Sequence, residues 1–542
     1  MKKLVWLLSV TCVLLTLGCA RLSRENPKTL RVQGRDIVDR NGKRVILRAV
    51  GLGNYLLPEG YMWKFGKNGD RPRRIEKLIV DMIGEQEAKK FWRQFRANYI
   101  TEADVARIKE LGFNAVRPAV NWRVLMNEES GKLEKEGFQL LDNLVKWCTK
   151  HGVYVIIDMH GAPGGQTGSN IDDSRNDFPE LFTDPAAQER LITLWRTLAK
   201  RYAREPFVVA YDLLNEPLPE QFKQFYPELE PLYRRIVAAI RQVDPYTMIT
   251  LEGAHWANDF SIFGPPFDSN TFYQFHKYWS TPDTKSLQPY LEFREKYNVP
   301  LWCGESGENN NDWYWAAYQL YEDHNIGWLF WPWKKMDTKN TPYSIKRPEG
   351  WDKIVEFSRG GEKPSAEEAL RSLNQLLENV KLENCDFFPD VVQAVFRRVP
   401  ARIQAENYGH EGEGLSYALL DPTGFAKVYR PNEPVPIVEL PEESEHDRKA
   451  YGVVLQADEW LAYPINSAID QVLKVMVKAR AETQLPDMHI ELDGKKIALG
   501  RNYYPGKFYF NFSVPFVIPK GSHEIKLVVD EGKLTIDWFE LQ

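Results

Sequence analysis

The sequence predicts an α/β chain: a closed (β/α)8 TIM barrel followed by an all-β sandwich of jelly-roll type. Three observations carry that prediction. From residue 30 to about 335, short β-rich runs alternate with amphipathic helical stretches, a pattern that argues a parallel sheet covered by helices. Eight β-rich runs emerge, the number at which such a sheet closes on itself. Beyond residue 400 the apolar period falls to two and turn dipeptides separate the runs, which argues antiparallel strands.

Taken in order, the chain opens with Lys2 and Lys3, an apolar run from Leu4 to Leu17, and Gly18-Cys19-Ala20. Charge, apolar run and small residues in that order make an export signal, and the run is short for a membrane span. Leu15 to Cys19 is similar to a bacterial lipobox, with Thr16 where Leu is usual. Lipidation at Cys19 is expected, tethering the chain to a membrane surface through acyl chains alone; plain cleavage and a retained anchor are the alternatives.

The candidate barrel strands are Val45 to Val50, Ala115 to Pro118, Val153 to Met159, Val208 to Leu214, Met248 to Glu252, Phe272 to Tyr278, Pro300 to Gly304 and Gly327 to Trp331. Glu102 to Leu111, Phe138 to Lys150, Ala186 to Tyr202 and Leu232 to Val243 have the helical period that suits crossovers between them. A doubly wound open sheet is the alternative, but no G-x-G-x-x-G turn follows the first strand. The predicted organisation is 1–19 signal, 20–362 barrel, 363–398 helical connector and 399–542 sandwich. Its strands are read at Ala401 to Gln404, Leu461 to Ile465, Val472 to Ala479, His489 to Leu492, Phe508 to Phe516, Ile525 to Val529 and Leu534 to Phe539.

Composition narrows the function. With 27% charged and 43% hydrophobic residues the chain is neither disordered nor a polytopic membrane protein. A net charge of -5 without long basic runs argues against nucleic acid as a partner. Once Cys12 and Cys19 are set aside, Cys148, Cys303 and Cys385 are an odd number without metal-like spacing, so no disulfide framework or zinc site is expected. The chain carries 17 Trp, 25 Tyr and 27 Phe, and planar rings suit a sugar-stacking surface as well as a core.

Barrel chemistry collects at the C-terminal ends of the strands. There the sequence places Arg117, His160, Asn215 and Glu216, His276 and Tyr278, Glu305 and Trp331. Two carboxylates facing each other across a barrel mouth are what glycosidic cleavage needs, one to protonate the leaving oxygen and one to attack or to activate water. Singly, each of these residues has a bland reading as a cap, a loop residue or a buried imidazole; jointly they do not. Glu59, after the first strand, and Trp256 add candidate substrate contacts, as does Trp122. Trp63, Trp313 and Trp315 lie in insertions that either extend the site or pack the loops.

These residues stand in motifs: Val-Arg117-Pro, Asp-Met-His160-Gly, Asn215-Glu216-Pro217, His276-Lys277-Tyr278, Gly304-Glu305-Ser306 and Gly-Trp-Leu-Phe-Trp331-Pro-Trp-Lys. In that order they resemble glycoside hydrolase family 5, over roughly residues 30 to 360. The stretch from His160 to Gly168 with Asn170 to Ser174 is similar to the exo-β-glucanase and glucosylceramidase-like branches. The resemblance implies a retaining enzyme on β-glucosidic substrates, with Glu216 as acid/base and Glu305 as nucleophile. It further implies that Arg117 and Tyr278 hold Glu305, Asn215 meets the sugar 2-hydroxyl, and His160, His276 and Trp331 contact substrate. No cofactor is implied for catalysis.

In the sandwich, Ile403 to Tyr408, Asp458 to Tyr463 and Thr535 to Phe539 resemble, in order, the signature segments of carbohydrate-binding module family 6. That resemblance implies one structural Ca2+, with Gln404, Glu406 and Asp537 at the positions that supply oxygen ligands. The alternative is that Glu406 and Asp537 are turn residues and the sandwich only stabilises the barrel. The loop Tyr503 to Phe508 offers aromatics to a ligand but no Trp.

The expectation is an exported, monomeric β-glucan hydrolase acting by double displacement, tied to the cell envelope or surface only through its lipid anchor. A β-mannanase or a glycosylceramidase-like hydrolase is the alternative within the same chemistry. A non-catalytic surface glycan-binding protein is the alternative outside it, and retention of both Glu216 and Glu305 argues against it.

Overall fold

The computed structural model describes residues 26–424, 428–443, 449–483, 486–500 and 507–542. The export segment with Cys19, and residues 503–506 of the aromatic loop, lie outside the described residues. Among the described residues no helix is long and apolar enough to cross a membrane.

Eight parallel strands close a barrel: β1 (Arg48–Leu56), β2 (Ala115–Asn121), β3 (Tyr154–Gly161), β4 (Val208–Asp212), β5 (Met248–Glu252), β6 (Thr271–His276), β7 (Leu301–Gly307) and β8 (Gly327–Trp331). Each pairs with its neighbours in chain order, and β8 returns to β1 with Trp328 opposite Arg48 and Phe330 opposite Val50. The strands are buried along almost their whole length, so they carry continuous apolar runs rather than alternation. Helices such as Glu102–Leu111, Lys135–His151, Pro185–Tyr202 and Tyr226–Arg241 cover the sheet. Their ends follow local chemistry. Thr101 and Asp104 form a capping box, and Gly112 closes the same helix in the left-handed region at φ 106°.

β1 begins at Arg48 rather than Val45 because Val45 N donates to Ile37 O, which ties it to the hairpin of Leu30–Gln33 and Asp36–Asp39. The hairpin region lies across the N-terminal end of the barrel. Lys28 Nζ donates to Tyr202 O and Glu205 O at 2.7 and 2.9 Å, and Val32 N to Asn270 Oδ1 at 2.9 Å, all just ahead of β4 and β6. The opposite end, where the candidate residues sit, stays open.

The helices Ala366–Asn379 and Pro389–Val395 bury Leu373, Leu376, Val391 and Val395 in the same apolar core as the barrel. A second core belongs to the sandwich, with Ile403, Val477, Leu527 and Phe539 among its members. Two sheets, of six strands each among the described residues, enclose it. One has Trp460–Ser467, Gly521–Glu531 and Asp487–Leu492 at its centre; the other has Lys449–Gln456, Lys533–Leu541 and Val475–Ala481. The stretches read as Val472 to Ala479 and Phe508 to Phe516 each break in two, because Gln471–Leu473 and Phe516–Ile518 pair apart from the large sheets.

Barrel, connector and sandwich meet through polar clamps. Arg397 Nη2 lies 2.9 Å from Glu322 Oε2, while Arg48 Nε holds Oε1 of the same carboxylate at 2.6 Å. His410 N donates to Asp323 Oδ2 and Tyr429 OH to Pro282 O, at 2.9 and 3.2 Å. Trp315, on a barrel helix, packs into the sandwich core.

Candidate active site

Barrel closure brings the strand-end residues together around Arg117, which is fully buried. Its guanidinium lies 2.8 Å from Asp212, 3.0 Å from Glu252, 3.3 Å from Asp158 and 2.5 Å from Glu305 Oε1. Four carboxyl groups on one buried cation cannot all be ionised without a large desolvation cost. Burial pushes Asp158 and Asp212 well above the usual carboxylate range, Arg117 notwithstanding. Glu252 goes the other way: burial is outweighed by His276, Arg117 and the backbone N–H of Glu216, and it is held below the usual range. Ionised Glu252 and Glu305 thus balance the cations Arg117 and His276.

Glu305, on β7, accepts from Arg117 on one oxygen and from Tyr278 OH, at 2.6 Å, on the other. Burial alone would raise its pKa; the His276 and Arg117 charges and the Tyr278 hydroxyl overcome it and hold Glu305 below the usual value. Gly304 is required beside it, because a Cβ there would stand 1.7 Å from Gln274 Oε1.

Glu216 follows β4 with φ at 45°, a left-handed backbone that a residue other than glycine adopts only under constraint. Two contacts supply it. The Glu216 N–H donates to Glu252 Oε2 at 2.6 Å, and Gln166 Nε2 binds both His160 O and Asn215 O, at 2.7 and 2.9 Å. Gln166 lies in the loop after β3, so that stretch works by tying β3 to β4. Burial raises the Glu216 carboxyl to about 7, against the opposing pull of His276, whose Nδ1 is 2.8 Å from Oε1. His276 itself is held charged: burial disfavours this, and Glu252 and Glu305 override it. Oxygens of Glu216 and Glu305 approach within 4.8 Å of one another.

His160 has the opposite fate, pushed down to about 3 chiefly by burial, and is neutral. Its Nδ1 donates to Asp158 Oδ2 at 2.7 Å and its Nε2 accepts from Asn215 Nδ2 at 3.2 Å, a pattern that assigns the proton to Nδ1. Asn215 Oδ1 in turn accepts from Arg117 at 2.9 Å.

A cavity of about 610 Å³ opens over these groups, lined among others by Glu59, His160, Asn215, Glu216, Trp256, His276, Tyr278, Glu305 and Trp331. That volume suits a small ligand. Residues 82–337 match the family model of cellulase (glycosyl hydrolase family 5). Over that stretch the chain is similar to family 5. Of curated relatives, the chain is 34% identical over 265 residues to a β-xylosidase of Phanerodontia chrysosporium, covering 48% of this chain and 54% of that protein. It is 26% identical over 312 residues to endoglucanase C of Acetivibrio thermocellus, covering 46% and 88%. The chain thus spans about half the length of the first relative and most of the second. Among solved structures it aligns with an endogalactoceramidase at a TM-score of 0.47 and 15% identity, over 94% of this chain and 99% of that one.

Within the barrel the remaining expectations sort by position. Glu59 is buried in the pocket with its Oε1 unpaired among the described residues, and burial together with nearby carboxylates raises it well above the usual range. Trp256 reaches the pocket from three consecutive left-handed residues, His255 to Ala257, with φ between 54° and 63°. Trp331 is 2% exposed. His160 lies parallel to its ring at 5.3 Å, and Gly51 and Gly53 leave the room it fills, so much of the indole is spent on protein rather than on an open stacking face. Trp122 and Trp63 are core: Trp63 packs on Phe65, Trp92, Phe95 and Trp351. Trp313 fixes a loop through Nε1 to Ser280 O at 2.8 Å.

Asp158, Asp212 and Glu252 set the charge state of the site and were not singled out from the sequence, although each is the rare carboxylate in an otherwise apolar strand. Trp279 was missed as well. It directly follows the His276-Lys277-Tyr278 motif, is 75% exposed, and lines the pocket rim.

In the sandwich, Gln404, Glu406 and Asp537 line one groove. Lys478 Nζ lies 2.9 Å from Asp537 Oδ2, so a side-chain cation already stands on a carboxylate that the Ca2+ reading needs free. Glu406 is buried and raised well above the usual carboxylate range by that burial, which favours its neutral form. A hard dication here therefore requires Lys478 to leave Asp537 and Glu406 to ionise. Among the described residues, Glu216, His276 and Glu305 bring acid and imidazole ligand atoms within 4.8 Å of one another, but there Arg117 already supplies positive charge.

Proposed function

We propose that this protein is a retaining β-glycoside hydrolase that cuts β-glucan-type polysaccharides or oligosaccharides by double displacement. The observation that carries the reading is the pair Glu216 and Glu305, with oxygens within 4.8 Å and opposite protonation bias. Retaining enzymes hold their carboxyl groups about 5–5.5 Å apart, whereas inverting ones need roughly 6.5–9.5 Å to admit a water.

Glu216, protonated up to about pH 7, gives its proton to the glycosidic oxygen as that bond breaks. Glu305 attacks the anomeric carbon and forms a glycosyl ester. Glu216, now a carboxylate, takes a proton from water; the water oxygen attacks the same carbon and releases Glu305. Arg117 and Tyr278 keep Glu305 ionised and aimed. Asn215 spends one Nδ2–H on His160, and its second is available to the sugar 2-hydroxyl, a bond that tightens in the oxocarbenium-like transition state. Neutral Glu59 adds a donor to the sugar hydroxyls. The reading includes export through residues 1–19 with Cys19 as the lipid attachment point, and glycan binding by the sandwich, whose signature segments are similar to carbohydrate-binding module family 6.

A β-xyloside substrate is a second reading, favoured by the relative named β-xylosidase. Xylose shares the equatorial 2-hydroxyl of glucose and lacks its hydroxymethyl group. Hydrolysis of aryl β-glucoside, β-xyloside and β-mannoside, with β-1,3, β-1,4 and β-1,6 glucans and glucomannan, separates these readings. Release of sugar from none of them, or equal release by Glu305→Ala and the unaltered protein, contradicts the proposal.

A further inference from the structure

A second cavity, of about 960 Å³, runs between the barrel and the sandwich. Its barrel wall is the loop after β6 with the start of the helix Asn311–Asp323, and its sandwich wall is the outer face of the sheet that contains Lys533–Leu541. Trp279 and Ser280 line both this groove and the catalytic pocket, so the two cavities adjoin at one exposed indole. The loop that carries Trp279 is held from both sides. Trp313 Nε1 binds Ser280 O at 2.8 Å from the barrel, and Tyr429 OH binds Pro282 O at 3.2 Å from the sandwich.

The wall chemistry is that of a sugar site. Phe510 is 42% exposed on the sandwich side, beside Trp538 at 5.9 Å between ring centroids. The pairing Phe510–Lys478–Trp538–Gln404 across three strand contacts sets rings and polar groups in one row. Among the described residues, two buried polar atoms of lining residues, Trp315 Nε1 and Glu406 Oε2, have no hydrogen-bond partner. Arg402 already lies over the Trp538 ring at 4.2 Å, so Phe510 and Trp279 are the exposed rings; set among fixed donors and acceptors, they suit a ligand with apolar faces and hydroxyl edges.

We propose that this groove is a distal subsite for the part of a long β-linked glycan that lies beyond the catalytic pocket, with Trp279 as the stacking platform at the junction. The inference rests on the function proposed above. It makes the sandwich part of the substrate path, so that removing a groove ring weakens long substrates and spares short ones.

The test uses the full chain. Specificity constants are measured for p-nitrophenyl β-glucoside and for β-gluco-oligosaccharides of increasing length, in the unaltered protein, Phe510→Ala and Phe510→Tyr. Phe510→Ala is expected to leave the aryl glucoside within about twofold while the longest oligosaccharides lose about tenfold, and Phe510→Tyr to retain them. A thermal melt like that of the unaltered protein shows that the fold is kept. Identical length dependence in Phe510→Ala and the unaltered protein, with the aryl glucoside still cut, overturns the subsite alone. If no glycoside is cut, the catalytic reading fails instead, and affinity electrophoresis in soluble β-glucan then decides the groove: retardation of the unaltered chain that Phe510→Ala abolishes supports it, and equal mobility overturns it.

Discussion

His276 Nδ1 stands 2.8 Å from Glu216 Oε1 and 3.8 Å from Glu305 Oε2, so one imidazolium acts on both carboxyl groups of the site. Its effect on each has the same sign, since a positive charge favours the ionised form of any nearby acid. Glu216 nevertheless ends high and Glu305 low, because only Glu305 also receives Arg117 and Tyr278. The proposed double displacement requires Glu216 protonated and Glu305 ionised. The basic limb of the profile of kcat/KM is therefore expected near pH 7, and the acidic limb below the usual carboxylate value. His276→Asn removes a lowering influence from both groups and shifts both limbs to higher pH, as a pH–rate series on an aryl glucoside reads directly.

Glu216→Ala tests the acid by leaving group. The acid matters most where the departing oxygen is basic, so oligosaccharides are expected to lose about 10²–10⁴ in kcat. Dinitrophenyl glycosides, whose leaving group departs unaided, lose far less in the first step. Equal losses on both substrates contradict the assignment.

Arg117→Met leaves Glu305 and Glu252 buried without their shared cation. Breaking a buried charge pair by removing one partner costs about 3–5 kcal/mol. A denaturant titration is expected to show a loss of that order, together with loss of activity. A stability unchanged within error contradicts the balance of two cations against two anions described for the site.

Glu322 joins the barrel to the end of the connector, just ahead of the sandwich, through Arg48 and Arg397. Burial raises its pKa, but Arg397 and Arg48 overcome this and hold it at about 2. A depressed folded-state value stabilises the protein above the unfolded value, near 4.5, and the gain is lost as pH falls towards 2. Thermal melts are expected to show Tm of the unaltered protein falling more steeply than that of Glu322→Gln across this window. The difference amounts to about 3 kcal/mol at neutral pH.

The barrel was legible because short apolar runs alternate with amphipathic helical stretches, and most of the runs end at a polar group. Met248–Glu252 and Gly327–Trp331 were read to the residue. The charge cluster was less legible. Asp158, Asp212 and Glu252 come from three strands and meet at Arg117 only once the barrel closes, a relation that no local spacing encodes. Several sandwich strands went unread, among them Ile437–Glu443, Lys449–Gln456 and Lys495–Ala498. The first is an edge strand with Pro441 and three glutamates, and edges tolerate the proline and charge that obscure period-two alternation. The Lys478–Asp537 pair had no sequence signal, since only the sheet register puts a lysine beside that carboxylate.

The most direct test of the account is to trap the glycosyl-enzyme. Incubation with a 2-deoxy-2-fluoro-β-glucoside that carries a good leaving group, followed by protease digestion and mass spectrometry, locates the covalent sugar. The account predicts one added sugar, on the peptide containing Glu305 and on that carboxyl. An inactivated protein labelled at another residue, or turnover with inversion and no covalent adduct, would contradict it.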